Sequence, residues 1–472
     1  MVQIRRPANT QTTTSLQADR REAMLNGPVL PVLLRLAVPT VTVLVVQTLV
    51  SVAETYYVGF LGTDALAGVA LVFPILLLMT MMSNGGIGGG VASAVARAIG
   101  SGRKDDADAL VLHAIVLAIA FGLFFTAAAL LAGPTLYRAL GGSEAALSAA
   151  LLYSGIVFAG AVPIWIVNLL AAALRGVGNV RVPALVTLWS AAAVLVLSPF
   201  LILGLGAFPG FGVAGAGLAL NLYYAGASLV LLRYLVSGRG GLTLKIVPLE
   251  GRLFRDILSV GGLSALNTLQ ANLTVVLVTG AVGLFGADAI AGYGVASRLD
   301  HVLVPLIFGL GTAVVTMVGV NMGAGNSDRA KRVAWTGALL AGAVTGSIGL
   351  AVSLFPHAWL GLFSDDPAVL EAGSLYLRTV APFYGFVGLG MVLYFASQGA
   401  KRVTLPFLAG TARLLVAAGL GWMVVAYFDG GLFALFMTVA AGTIMFGGLN
   451  ALATARVPWG TAPDLKAAAA TA

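Results

Sequence analysis

Two carboxylates stand where this chain can least tolerate charge. Glu54 is the one charged residue in the run from Leu36 to Gly62, and Asp300 lies about fourteen residues into a later run that follows Gly286. An ionised carboxylate within a lipid-spanning segment costs at least about 2.5 kcal/mol, and such groups mark ion or substrate paths. A carboxyl whose surroundings alternate between apolar burial and a nearby cation takes up a proton in one state and releases it in the other. That chemistry is the basis of an antiporter. Helical spacing places Gln47, Ser51, Tyr57 and Val58 on or near the Glu54 face, and the first three can hydrogen-bond it. Asp300 and Arg298, two apart, do not face each other on a helix and must find partners on other helices.

The elements that carry these acids follow from composition. Of the 472 residues, 59% are hydrophobic and 9% charged, against about 25% charged in soluble domains. Lipid can cover that much apolar surface, and only helices or closed barrels can then satisfy their backbones. The apolar runs are long and do not alternate, so helices are expected. Twelve spans are predicted, at 33–60, 65–98, 109–133, 148–174, 183–206, 211–235, 258–285, 287–321, 331–356, 371–399, 403–428 and 430–455. About twenty of the Lys and Arg residues fall in the tails and alternate loops on one face, which puts both termini in the cytoplasm. The same rule accounts for the net charge of +8 without a nucleic-acid partner. Residues 1–32 read as a polar cytoplasmic tail with no signal peptide, and 456–472 as a second tail. No cysteine is present, so disulfides and thiolate metal sites are excluded, and no metal or cofactor site is expected.

An internal repeat organises the spans. Gly62-Thr63-Asp64-Ala65-Leu66-Ala67-Gly68 returns as Gly286-Ala287-Asp288-Ala289-Ile290-Ala291-Gly292, Ile99-Gly100-Ser101-Gly102 as Met322-Gly323-Ala324-Gly325, and Gly176 with Pro183 as Gly399 with Pro406. The offsets are 224, 223 and 223. Each half holds six helices, so the halves are parallel. This gives an N-lobe at 33–235, a cytoplasmic linker at 236–257 and a C-lobe at 258–455, with a cleft between lobes that rock. The position equivalent to Glu54 is Val278, so coupling is expected to be concentrated in the first lobe.

These anchors resemble the MATE (multidrug and toxic compound extrusion) family over Leu36 to about Ala455. The carrying stretches are LAVPTVTVLVVQTLVSVAETYYVGFLG, ALRGVGNVRVP and AIAGYGVASRLDHVLVPLIFGLGTAVVTMVGVNMGAGNSDRAKR. The loop GSGRKDDADA lacks the Asp-Arg-x-Gly-Arg signature of the major facilitator type. The resemblance, closer to the DinF-type branch, implies an all-α membrane protein in two parallel six-helix lobes. It also implies a multidrug efflux antiporter, multi-pass in the cytoplasmic (inner) membrane and a monomer, that exports amphipathic or cationic organic compounds. Glu54 falls where the family carries its coupling acid. Where family members that bind sodium add Asn, Asp and Thr, this chain has Val194, Ser198 and Leu220, so a proton gradient is favoured over sodium. Asp300, with Arg298, is a second coupling candidate. Met79, Trp165, Asn168, Asn221, Asn267 and Gln270 are candidates to line the substrate cavity. The competing expectations are a sodium-coupled exporter and a lipid-linked saccharide flippase, the latter requiring an Arg-rich cleft. An enzyme is not expected, since no catalytic or metal-ligating spacing is found.

Overall fold

Segments this apolar must bury every backbone polar group in helices, and the chain does so almost throughout. The computed structural model describes residues 8–142, 144–205 and 208–459. Eleven helices among them are long and apolar enough to cross a bilayer, and one bent pair adds a twelfth. In chain order, spans 1 to 6 are Val29–Gly59, Thr63–Gly100, Lys104–Ala139, the pair Glu144–Ala159 and Ala161–Gly176, Arg181–Leu203 and Val213–Val236. Spans 7 to 12 are Gly251–Gly283, Ala287–Gly323, Ser327–Leu354, Pro367–Gly399, Thr404–Tyr427 and Leu432–Arg456. Among the described residues strand is confined to a two-residue ladder, Gly204–Leu205 against Phe208–Pro209, between spans 5 and 6.

The repeat is visible in the packing. In the first lobe span 1 packs on 5, 2 on 4, 3 on 4, 5 on 6 and 4 on 6, and the second lobe repeats each pair six helices later. The lobes meet mainly through the cytoplasmic halves of spans 1, 2, 7 and 8. Small residues make that meeting possible. A Cβ on Gly100 would lie 2.1 Å from the Val320 carbonyl oxygen, and one on Gly323 would lie 2.2 Å from that of Arg97. The repeat offset maps one contact onto the other. It also maps Gly86, packed on Ala265 of span 7, onto Gly309, packed on Val41 of span 1. Spans 2 and 8 therefore cross on a pseudo-twofold axis, with Ala96 against its own equivalent, Gly319.

Hydrogen bonds across the axis obey the same symmetry. Ser93 Oγ of span 2 donates to the Gln398 carbonyl at the end of span 10. Its equivalent, Thr316 Oγ1 of span 8, donates to the Arg175 carbonyl at the end of span 4, at 3.0 Å. One lock is not duplicated. Arg97 Nη2 reaches Asp256 Oδ1 of span 7 at 2.9 Å, and Lys401 pairs with the same carboxylate. Lys401 sits at φ 57° where the first half has Gly178 at φ 75°, a left-handed conformation that costs a side-chain-bearing residue about 1 kcal/mol.

Two stretches read as tail and linker are more ordered than their polarity suggested. Within 1–32, Ala8–Asn26 forms a helix whose end lies across both lobes. Arg21 donates to the Ile99 and Gly100 carbonyls at the end of span 2, at 3.0 and 2.9 Å. From the other lobe, Asn321 Nδ2 donates to the Met24 carbonyl at 3.1 Å. Span 7 begins at Gly251, inside the 236–257 stretch, and the chain before it is pinned to span 3. Asp108 accepts from Thr243 N at 2.9 Å and from Lys245 at 3.1 Å, which raises the Lys245 ammonium above its usual range. His113 Nε2 accepts from Glu250 N at 2.9 Å.

The paired close approaches make a symmetric prediction. Gly100→Val and Gly323→Val should each prevent the cytoplasmic side from closing and lower the initial transport rate by more than about tenfold, because overpacked contacts against backbone cannot relax cheaply. Rates in vesicles, normalised to inserted protein, check this.

Candidate functional site

Glu54 is partly exposed in the first lobe, about one and a half turns from the outer end of span 1. Its hydrogen-bond partner is Ser198 on span 5, with Ser198 Oγ donating to Glu54 Oε1 at 3.4 Å. The expected partners on its own helix do not fill that role. Gln47 Nε2 instead donates to the Tyr223 hydroxyl of span 6 at 3.4 Å, and Ser51 is exposed on the bundle surface. Tyr57 is partly buried and packs against the apolar core. The physical reason is direction: a shared helical face brings side chains near one another, but the carboxylate leans into the lobe. Around it, within electrostatic range, stand Tyr153 of span 4 and Tyr223 and Tyr224 of span 6. Their rings are buried or nearly so, with Tyr223 and Tyr224 edge to face at 4.4 Å.

The second lobe holds a comparable arrangement. Asp300 lies within electrostatic range of Tyr293 of span 8 and of Tyr376 and Tyr384 of span 10. Tyr293 and Tyr376 meet edge to face at 5.2 Å, and Phe436 of span 12 closes the group against Tyr376 at 5.1 Å. Tyr376 is the repeat equivalent of Tyr153. Each lobe thus sets an acid against the same tyrosine, but the acid comes from span 1 in one lobe and from span 8 in the other. Arg298 does not belong to this group. It is exposed and lies over the Phe363 ring at 5.5 Å, since two residues along a helix turn it away from Asp300. Arg413 stays within the bundle, over the Phe446 ring at 5.6 Å and in range of Tyr293 and Tyr376.

The residues expected to line a substrate cavity mostly do other work. Met79 and Trp165 are fully buried, and the Trp165 indole stacks on Phe121 at 4.9 Å. Both are first-lobe core. Asn168 Nδ2 donates to Ser83 Oγ at 2.7 Å. Asn221 explains the 48° bend of span 4 at Gly160. Gly160 N turns back to the Val157 carbonyl, and Asn221 Nδ2 donates to the Ile156 carbonyl at 2.6 Å. The side chain thereby replaces the helical bond that the bend gives up. Asn267 is buried against Gly410 of span 11, and Gln270 Nε2 donates to Thr411 Oγ1 at 2.8 Å, so these two join spans 7 and 11.

Sequence reasoning passed over Asn84, Arg175 and Gln398, which meet deep in the seam between the lobes. Span 2 contains a π-helical turn, Met82–Ile87, an irregularity often found at functional positions. Within it Asn84 Oδ1 accepts from Arg175 Nη2 at 2.8 Å.

The family model described as MatE matches residues 39–200 and 264–423. The FAD transporter of Shewanella oneidensis is 26% identical over 423 residues, 87% of this chain and 91% of that protein. The probable multidrug resistance protein NorM of Thermotoga maritima is 27% identical over 427 residues, 87% of this chain and 89% of that one. A multidrug resistance MATE family transporter of the MOP superfamily, solved in an outward-facing conformation, superposes with a TM-score of 0.82 at 25% identity. That match covers 92% of this chain and 96% of that one.

Replacing Asn221 by Leu should leave the Ile156 carbonyl unsatisfied and cost about 1–3 kcal/mol, read as a lower Tm of the purified protein with its order of substrate preference unchanged. With twelve spans in two lobes related by a parallel repeat, and a family match over both lobes, the chain belongs to the MatE family of membrane transporters.

Proposed function

We propose that this transporter is a secondary active multidrug exporter that exchanges protons for amphipathic, often cationic, organic compounds, with Glu54 as the coupling carboxylate. The observation that carries the reading is the Glu54–Ser198 pair in the first lobe, with Tyr153, Tyr223 and Tyr224 within electrostatic range. A lone carboxylate so placed within a membrane-spanning lobe is a proton carrier whose charge depends on what else occupies the cleft. Asp300, facing the equivalent tyrosine, is a second coupling group in the other lobe. That widens the first-lobe emphasis suggested by Val278, because the second acid enters from a different helix. The names of the relatives support transport of organic solutes, and NorM of Thermotoga maritima supports drug export.

The donors around Glu54 favour protons over sodium. Sodium binds best to several hard oxygens, whereas here Val194 is buried where an amide would stand, and one carboxylate and one hydroxyl remain with the phenols. The lobes at 33–235 and 258–455 act as the moving bodies, and the linker travels with the first. Opening to the cytoplasm breaks the Ser93 and Thr316 bonds together with the Arg97–Asp256 pair.

In everted membrane vesicles, rhodamine 6G uptake should collapse when the proton gradient is dissipated and should not require sodium. Glu54→Gln should lower its initial rate at least about tenfold. Uptake that follows a sodium gradient, or that survives the Gln change unaltered, would contradict the reading.

A further inference from the structure

The cytoplasmic side of the seam holds two arginines inside the bundle, and their surroundings differ. Arg97 has Asp256 at 2.9 Å. Among the described residues Arg175 has no carboxylate in hydrogen-bond contact, and its guanidinium donates to the Asn84 amide oxygen at 2.8 Å. Among those residues its five N–H donors therefore have one acceptor. A permanently charged group held in that way is costly unless an anion completes it.

The space beside it has a definite shape. Asn84, Gly85, Gly88, Gly89, Thr312 and Gln398 surround Arg175 around a cavity of about 10 Å³, and Arg175 keeps part of its surface exposed. Gly89 leaves room for the Gln398 amide, whose Oε1 would lie 2.3 Å from a Cβ there. Gln398 is the repeat equivalent of Arg175, so the two side chains face each other close to the pseudo-twofold axis. Gln398 Nε2 donates to the Gly85 carbonyl at 3.2 Å and to Ser264 Oγ at 3.1 Å, while its buried Oε1 has no partner among the described residues. One wall thus offers a cation rich in donors and the other an unused acceptor. A cavity of this volume takes one water-sized group. The aromatic body of a drug does not fit, but one oxygen of an acidic terminus does.

We infer that Arg175 is a recognition site for an anionic oxygen of the substrate, a carboxylate or a phosphate, at the cytoplasmic end of the cleft. The acid accepts from the guanidinium, in the charge-assisted geometry for which arginine is suited. A hydroxyl on the same group, as in a monoprotonated phosphate, can donate to Gln398 Oε1. The inference rests on the reading of the cleft as the substrate path.

Rhodamine 19 and its ethyl ester rhodamine 6G share one cationic ring system and differ in the free carboxylate, so their binding to the purified full-length protein isolates the site. By fluorescence polarisation, Arg175→Gln should weaken rhodamine 19 by about tenfold while changing rhodamine 6G by less than twofold. Arg175→Lys, which keeps the charge, should recover part of the loss. Flavin mononucleotide and riboflavin, as competitors, form the phosphate arm. A loss confined to the rhodamine pair assigns a carboxylate, and one confined to the flavin pair assigns a phosphate. Equal weakening of acid and ester, or no binding of either acid by the wild type, overturns the assignment. Uptake of rhodamine 6G by wild-type vesicles tests the exporter reading separately, since that dye lacks the acid.

Discussion

The closure of spans 2 and 8 against each other, backbone to backbone, is the contact on which the rest of the molecule depends. Lipid supplies no hydrophobic force to join two lobes, so the association must come from packing and from hydrogen bonds between them. Gly100 and Gly323 let each helix rest on the carbonyl of the other, and Ser93 and Thr316 then reach the ends of spans 10 and 4 across the axis. The N-terminal helix covers this crossing and uses Arg21 to satisfy two carbonyls at the end of span 2. A closed cytoplasmic side leaves the lobes free to part on the other, where such packing is sparse.

On a symmetric scaffold the chemistry is placed asymmetrically. The repeat duplicates the close approaches, the hydroxyl bonds and the tyrosine at 153 and 376. It does not duplicate Glu54, Asp300, Arg97 or Arg175, whose equivalents are Val278, Leu76, Val320 and Gln398. Shape complementarity between two like halves survives duplication because each half meets its own image. Charge does not, since two like charges brought to one axis repel. The replacement of Arg175 by Gln398 across the seam follows that logic, as does the single Arg97–Asp256 lock.

Much of this was legible from the chain alone, and the boundary is physical. Hydropathy gives the spans because lipid enforces helices, and the glycine anchors give the repeat because loops at equivalent places need equivalent turns. Glu54 stands out because carboxylates in lipid are rare. Its neighbours do not stand out, since Tyr153, Tyr223 and Tyr224 differ in no local way from the other tyrosines of the spans. The bond Asn221 makes is not legible, because it is set by a bend in another helix, which no property of span 6 records. Ala8–Asn26 reads as tail because its polarity hides a role that comes from contact with both lobes. Arg175 sits in a stretch legible as a loop, and only the folded chain shows that Asn84, not an acid, is its hydrogen-bond partner among the described residues.

The central claim is that Glu54 exchanges its proton for substrate, and the most direct measurement is proton release when substrate binds to the purified protein in weakly buffered solution. Rhodamine 6G added to the wild type should release protons in proportion to dye bound, unaffected by sodium, and Glu54→Gln should bind dye with much of that release gone. Undiminished release from Glu54→Gln, or binding that releases no proton but depends on sodium, would contradict the account.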